Sequence, residues 1–335
     1  MNQTATPTKE SLESTWQEIS CPGCSRTAAR EVFRAPLVDS LAGEGILLCC
    51  QSCGLIRLSP CPSIRSLISV YSKDDYYAYH CLEQQPGMGW MGRLKHVLRI
   101  MAIKNHSKVG WQRCIGSILT LPIRQRFQGI PSGGESNQML DVGCGDGFFG
   151  SLMQEAGWKV HGIEFHPEGV RRARANGLEV LEGNFLDSEI PWQQLDAVRF
   201  WHVLEHLPEP NKVLKRALKL LRPGGELIIG VPNMGSPHRY LFGKCWSGLQ
   251  LPRHLTFFTS RTLRDIVQQA GFEQITIRHA SGGSGLSSWA ALFPKKFQRI
   301  WMNPVFKLLS LGCDMIFDLV HLGDGLELRA RKAKA

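Results

Sequence analysis

Residues 139–147 read Met-Leu-Asp-Val-Gly-Cys-Gly-Asp-Gly, and this stretch leaves the chain little choice of local structure. A short apolar run ends in Asp141, and glycines follow at alternate positions: Gly143, Gly145 and Gly147. An apolar, helix-compatible segment over 148–156 comes next. The pattern predicts a strand, a tight turn and a helix start. Glycine is required where the chain takes φ > 0 or where a ligand approaches bare backbone. A helix behind such a turn aims its unpaired N–H groups and the positive end of its dipole at whatever sits there. The spacing also excludes two common cradles. The dinucleotide fingerprint G-x-G-x-x-G would need glycine at 148, where Phe148 stands, and the phosphate loop ending in Gly-Lys-Ser/Thr is absent.

Strand and helix alternate after this turn. The pattern predicts strands over 158–164, 179–182, 195–201, 226–231, 272–279 and 326–331, with helices over 167–176, 210–221 and 260–270. Such alternation implies a largely parallel α/β sheet covered by helices, with ligands at the carboxyl ends of the strands. Gly143–147, Glu164, Asn184, His202 and Asn233 all fall at such ends. Glu164 lies 21 residues after Gly143. A strand-end acid about 20 residues beyond a glycine turn can accept hydrogen bonds from ribose hydroxyls. Arg199, inside a strand expected to be buried, needs a carboxylate partner or an edge position.

Eleven cysteines without an apolar signal core in residues 1–20 favour reduced thiols and metal ligands over disulfides. Cys21-Pro-Gly-Cys24 and Cys50-Gln-Ser-Cys53 are separated by 25 residues. Two such knuckles can close a tetrahedral, structural Zn2+ site on Cys21, Cys24, Cys50 and Cys53. Short strands are expected between them, over 31–38 and 45–48. So small a unit has too little core to stand alone, and metal binding would contribute directly to its folding.

The organisation that follows is a tail over 1–20 (helical near 12–19), a zinc-binding unit over 21–85, and a basic helical segment with linker over 86–134. An α/β domain over 135–335 completes it, with an apolar helical insert over 287–322. Residues 87–134 carry Arg93, Lys95, Arg99, Lys104, Lys108, Arg113, Arg124 and Arg126 and no acid, so the net charge of +10 has a local source. The amphipathic stretch 90–103 suits a helix docked on the domain, an anionic membrane surface or nucleic acid. No uninterrupted apolar run reaches 18 residues; the nearest, 305–322, contains Lys307, Asp314 and Asp318. A cytoplasmic protein is expected, with 90–103 or 287–322 available for peripheral membrane contact.

Taken in sequence, Leu-Asp-Val-Gly-Cys-Gly-Asp-Gly, Gly-Ile-Glu, Gly-Asn-Phe, Val-Leu-Glu-His-Leu, Leu-Arg-Pro-Gly-Gly and Val-Pro-Asn resemble the class I S-adenosylmethionine-dependent methyltransferases. The knuckle Cys-x-x-Cys-Gly-Leu, with Pro-Cys-Pro-Ser and Tyr-Tyr after it, is similar to the zinc-binding front end of sugar methyltransferases. The resemblance implies a seven-stranded Rossmann-like sheet whose last strand is antiparallel. It also implies S-adenosylmethionine as cofactor, with Asp141, Gly143, Cys144, Gly145 and Gly147 at its methionine end. Glu164 would take the ribose, Asn184 and Phe185 would sit by the adenine, and Trp201 and His202 would border the cofactor. The family often has Asp where Asn184 stands, and Asn can contact the same base edge.

Residues 234–259 form a long loop with little apolar periodicity at the ligand end of the sheet, expected to act as a lid. Its Pro-Arg-His-Leu-Thr-Phe-Phe segment is similar to one bearing a substrate-side histidine in sugar methyltransferases. Methyl transfer to oxygen or carbon needs in-line positioning and removal of a proton. His254, His206, His202 and His238 are the candidate bases, with His254 favoured. Arg253 and His238 are candidate substrate contacts, Arg253 for an anionic group. The expected function is methyl transfer to a small or lipid-linked metabolite, a sugar foremost. RNA methylation is the rival enzyme reading, disfavoured because stacking aromatics on a recognisable RNA-binding fold are missing. A non-catalytic cofactor-binding or membrane-docking subunit is the third.

Overall fold

The structure is a computed structural model that describes residues 16–37, 43–63, 100, 101, 103, 129–280, 288 and 322–334. Strands β1 to β5 are Trp16–Gln17, Ala29–Pro36, Glu44–Cys50, Ile56–Ser59 and Cys61–Pro62. From β6 (Gln138–Val142) onward, helices α1 (Phe148–Glu155) and α2 (Pro167–Ala175) alternate with β7 (Lys159–Glu164) and β8 (Glu179–Glu182). Then come β9 (Leu195–Trp201), α3 (Pro210–Leu220), β10 (Leu221–Pro232), α4 (Pro237–Phe242), β11 (Thr256–Phe257), α5 (Ser260–Gln269), β12 (Phe272–Ala280) and β13 (Gly325–Lys332).

Seven strands form one sheet in the order β12-β13-β10-β9-β6-β7-β8. β6 to β10 pair in parallel, and β13 lies antiparallel to both β10 and β12. All of β9 except Trp201 is buried, the mark of a strand covered on both faces. The chain reverses direction across the sheet between β6 and β9, so their carboxyl ends open a crevice at a switch point. The expected fifth strand over 226–231 extends back to Leu221, with a register shift around the Arg-Pro-Gly-Gly turn. Helix α5 starts at a reciprocal cap between Thr259 and Thr262.

Asp196 ties the amino end of β6 to β9. Its carboxylate accepts hydrogen bonds from the backbone N–H groups of Glu135 (2.9 Å), Ser136 (3.1 Å) and Gln138 (3.0 Å), from Ser136 Oγ (2.7 Å) and from Arg222 Nε (2.5 Å). Burial alone would push this carboxyl up, but the donors from Gln138, Ser136, Arg222 and Glu135 outweigh it and hold its pKa at about 2. A folded-state pKa below the unfolded one contributes stability above the unfolded value, lost as pH falls through the folded one. Asp196→Ala is therefore expected to cost about 3 kcal/mol at pH 7. The deficit should shrink as pH drops from about 4 to about 2. Urea denaturation across that window measures it, and a pH-independent deficit would contradict the assignment.

The amino-terminal unit is not self-contained. β2, β3 and β4 form an antiparallel sheet whose fourth strand is β11, in the order β11-β4-β3-β2. Thr256 pairs with Arg57 and Phe257 with Ile56, and Leu58 N–H donates to Leu255 O. The loop expected to act as a lid is thus a structural element. Its Met234, Phe242, Trp246, Leu249, Leu251, Leu255 and Phe257 share one apolar core with Ala35, Leu47, Leu58 and Cys61. That core supplies what so short a cysteine unit lacks.

Within the tail, the expected helix near 12–19 is replaced where described: Trp16 and Gln17 pair antiparallel with Pro62 and Cys61. Of the basic stretch 90–103, Ile100, Met101 and Ile103 are described and helical, and Ile103 is buried in the same apolar core as Met139 and Leu152. The rest of that stretch and nearly all of 287–322 lie outside the described residues. No helix among the described residues is long and apolar enough to cross a membrane.

Candidate functional site

The crevice is built from the glycine turn upward. Gly143, Gly145 and Gly147 take φ of 68°, 57° and 78°. The N–H groups of Gly143 and Cys144 reach Ile163 O at 2.8 and 3.4 Å, which pins the turn to the end of β7. A Cβ on Gly143 would stand 2.5 Å from Val203 Cγ2, so the turn and the end of β9 admit no side chain between them. Cys144 is buried, its thiol pushed well up by burial and then by the Asp141 and Glu164 carboxylates, so it stays protonated and inert.

Glu164 is buried at the end of β7 and accepts from Gly145 N–H (3.0 Å) and His166 N–H (2.9 Å). Burial raises its pKa against these donors. Each oxygen keeps further lone-pair capacity, so the carboxylate can still accept from a ligand hydroxyl. Beside it the Phe165 ring is 40% exposed, unusual for a large apolar side chain and placed where a flat partner could stack. Sequence reasoning passed over Phe165; its position directly after a strand-end acid was the available signal.

Asp141 is buried near the end of β6, two residues before Gly143. It pairs with Arg199 directly across the β6–β9 register, Nη1 to Oδ1 2.8 Å, with both side chains buried. This supplies the carboxylate that Arg199 requires. The guanidinium also stacks over the Phe149 ring at 3.7 Å and lies 4.9 Å from that of Trp201. Asn184 stands at the end of β8, its amide donating to Asp187 Oδ2 (2.9 Å) and its oxygen accepting from Leu186 N–H (3.1 Å). Phe185, expected beside the adenine, is buried, its ring edge-on to that of Phe200 at 5.3 Å. Packing the ring there removes it from water more completely than a place at the rim would.

Trp201 and His202 close the end of β9. His202 is half-exposed and takes φ of 54°, a strained conformation for a non-glycine residue that often marks a functional position. Its Nδ1 lies 3.4 Å from Glu205 Oε1. Glu205 and His206 sit on a 3-10 turn, Leu204–His206, that contacts the 234–259 segment. Leu255 N–H donates to Glu205 O, and His206 Nδ1 donates to Arg253 O at 2.9 Å.

His254, the favoured base, is buried. Its Nδ1 donates to Gly248 O at 2.8 Å and its ring meets that of His206 at 4.7 Å. Burial, with the neighbouring His206 assisting, brings its pKa to about 3, and burial lowers that of His206 as well. Both rings are therefore neutral near pH 7 and weakly basic. His238, expected at the substrate, is also buried. It opens α4, bonded to the Ser236 cap and stacked on Phe242. Arg253 is half-buried and contributes its carbonyl to His206.

A second cluster holds the cysteines. The β2–β3 hairpin pairs Ala29 with Cys50, which brings the two knuckles side by side. The fifth residue of each, Ser25 and Gly54, has positive φ (61° and 76°) and donates its N–H to the first cysteine's carbonyl. Cys21 Sγ is 3.5 Å from Cys53 Sγ, and Cys24 Sγ is 3.5 Å from Cys50 Sγ, with all four within 4.8 Å of one another. That is too long for disulfides and close to the roughly 3.8 Å edge of a tetrahedron with metal–sulfur bonds of about 2.3 Å. Burial raises the pKa of Cys21 and Cys53. For Cys50 the N–H groups of Cys53 and Ser52 and the Cys24 thiol outweigh burial and bring the value to about 6.

Comparison with known proteins adds a family. Residues 119–277 match the family model described as a methyltransferase domain. A probable S-adenosylmethionine-dependent methyltransferase of Mycolicibacterium smegmatis is 26% identical over 151 residues, 44% of this chain and 57% of that protein. The ubiquinone biosynthesis O-methyltransferase of Alkalilimnicola ehrlichii is 32% identical over 131 residues, 36% of this chain and 52% of that protein. The chain thus spans about half the length of the curated relatives it matches. Among solved structures, a possible histamine N-methyltransferase from Thermotoga maritima is similar at 17% identity and TM-score 0.42, covering 71% of this chain and 92% of that one.

Proposed function

We propose that this chain, whose residues 119–277 are a methyltransferase domain of the class I S-adenosylmethionine-dependent type, transfers the methyl group of that cofactor to an oxygen or carbon of a small or lipid-linked metabolite. The observation that carries the reading is the meeting of the Gly143–Gly147 turn, Glu164 and His202 at one switch-point crevice. The bound cofactor supplies a methyl group already activated on a positively charged sulfur. The turn would hold it against backbone, Glu164 would accept from its ribose hydroxyls, and Phe165 offers a ring for its base.

His202 is better placed than His254 to take a proton from the acceptor. It stands at the carboxyl end of β9 with its side chain 46% exposed, whereas His254 is buried, and Glu205 Oε1 lies 3.4 Å from its Nδ1. A sugar acceptor is the reading we favour, because the four-cysteine unit resembles that of sugar methyltransferases. The relatives named as ubiquinone biosynthesis O-methyltransferases make an oxygen of a ubiquinone-pathway intermediate the second acceptor class. The donor set and spacing of the four cysteines fit Zn2+ in a closed, structural role.

Calorimetry with S-adenosylhomocysteine tests the cofactor site. Gly143→Ala places a methyl 2.5 Å from Val203 and strains a φ of 68°. It should weaken binding by roughly a hundredfold, about 2.7 kcal/mol. Gly157→Ala is the control: its φ of 97° is equally strained, but no atom lies within 4 Å of its Cβ and it is remote from the crevice. Equal affinities for wild type and Gly143→Ala would remove the assignment. Incubation of candidate sugars and ubiquinone-pathway intermediates with methyl-labelled cofactor then separates the acceptor classes.

A further inference from the structure

Glu205, His206 and His254 form a cluster whose two histidines the proposed methyl transfer does not use. One potential ligand atom from each lies within 4.8 Å of the other two. The residues come from separate elements, the 3-10 turn after β9 and the segment before β11, held together by the Leu255 N–H bond to Glu205 O at 2.8 Å.

The tautomers of the two histidines follow from their partners. Arg253 O and Gly248 O are carbonyl oxygens and can only accept, so His206 Nδ1 and His254 Nδ1 carry the protons. In a neutral ring this leaves the lone pair on Nε2. An imidazole whose other nitrogen is fixed by a backbone carbonyl is the usual arrangement of a metal-ligating histidine.

Glu205 supplies the second, independent observation. It is 1% exposed, and its Oε2 has no hydrogen-bond partner, while Oε1 is approached by His202 at 3.4 Å. A buried carboxylate oxygen with nothing to accept from is costly unless a cation compensates it. No lysine or arginine among the described residues forms an ion pair with it. Two imidazoles and one carboxylate are a donor set suited to borderline divalent ions, zinc, cobalt or iron(II), and poorly suited to calcium or magnesium.

We propose that Glu205, His206 and His254 bind a divalent transition-metal ion, at a site distinct from the four-cysteine cluster. The ligands are the Nε2 atoms of the two histidines and the Glu205 carboxylate. His202 stands behind the carboxylate as a positioning residue. The ion would join the end of β9 to the segment that completes the amino-terminal sheet, beside the crevice. The inference does not depend on methyl transfer, because its readout is metal content.

The test is elemental analysis and Co2+ titration of the full chain. Two metal equivalents per chain are expected. Cobalt at the cysteines gives intense thiolate charge-transfer absorption, whereas cobalt at the second site gives weak visible bands only. His254→Ala and Glu205→Gln should each lower affinity at the second site by roughly tenfold or more while the thiolate absorption persists. Glu205→Gln conserves volume, so persistent thiolate absorption together with an unchanged circular dichroism spectrum separates ligand loss from misfolding. One equivalent in the wild type, two retained in Glu205→Gln, or loss of both metals together in both variants would overturn the proposal.

Discussion

Cys50→Ser is expected to empty the four-cysteine cluster and to destabilise the chain by more than about 5 kcal/mol, a large part of what a structural zinc contributes to folding. Two links carry the effect beyond the knuckles. Cys21, Cys50 and Leu55 belong to the same apolar core as Leu263 and Ile266 of α5 and Val213 and Leu214 of α3. Asn211, on α3, donates to Pro22 O (3.1 Å) and Gly23 O (2.7 Å). Loss of the knuckles should therefore release β4 from β11 and expose Trp246, which is buried in the shared core. Guanidinium denaturation followed by tryptophan fluorescence, with metal analysis alongside, reads both consequences. Cys49→Ser is the control: its thiol donates only to the carbonyls of Cys50 and Gly54, at 3.8 and 3.5 Å, and its loss should leave metal content unchanged. Full stability in a metal-free Cys50→Ser protein would show that the apolar core alone holds the unit.

The parts of the fold legible in the sequence are those governed by local chemistry. Buried parallel strands announce themselves as near-continuous apolar runs, as β9 does, and β7, β9, α2, α3 and α5 fall within a residue or two of the expected limits. The knuckles are legible because four thiolates at that spacing have few other uses. What was not legible is decided by non-local pairing. Thr256–Phe257 is only two residues long, too short for a period-2 pattern, and becomes a strand because β4 offers it an edge. Burial of His254 and His238 follows from that docking, so residues that read as loop histidines become core ones. The burial of Phe185 against Phe200 is likewise a non-local contact that the local sequence does not show. Glu205 and His254 are 49 positions apart, and the tautomers that make their cluster interesting depend on two backbone carbonyls that no side-chain pattern reveals.

Arg199 was legible as a problem before its solution was visible, and it carries the second large effect. Arg199→Leu leaves the Asp141 carboxylate buried without its cation, which is expected to cost about 3–5 kcal/mol at pH 7. Burial already pushes the Asp141 carboxyl up, and the Arg199 charge and hydrogen bond oppose that push. Removing them raises it further, so the variant's folded state binds a proton that the unfolded chain has released at neutral pH. A folded pKa above the unfolded one makes stability fall as pH rises between the two. The deficit should therefore be small below about pH 4, where the carboxyl is neutral in both states, and grow towards pH 7. Arg199→Leu/Asp141→Leu removes both charges and should recover most of the loss, because an apolar pair of similar volume avoids the desolvation of two ions. Urea denaturation of the two variants at pH 4 and pH 7 completes the cycle. A deficit that does not change with pH, or a double variant no more stable than Arg199→Leu, would mean that the guanidinium acts through its stacking on Phe149 and Trp201 rather than through Asp141. Because Asp141 stands two residues before Gly143, the double variant also separates fold from function. If the pair only supports the turn, restored stability should restore S-adenosylhomocysteine affinity with it.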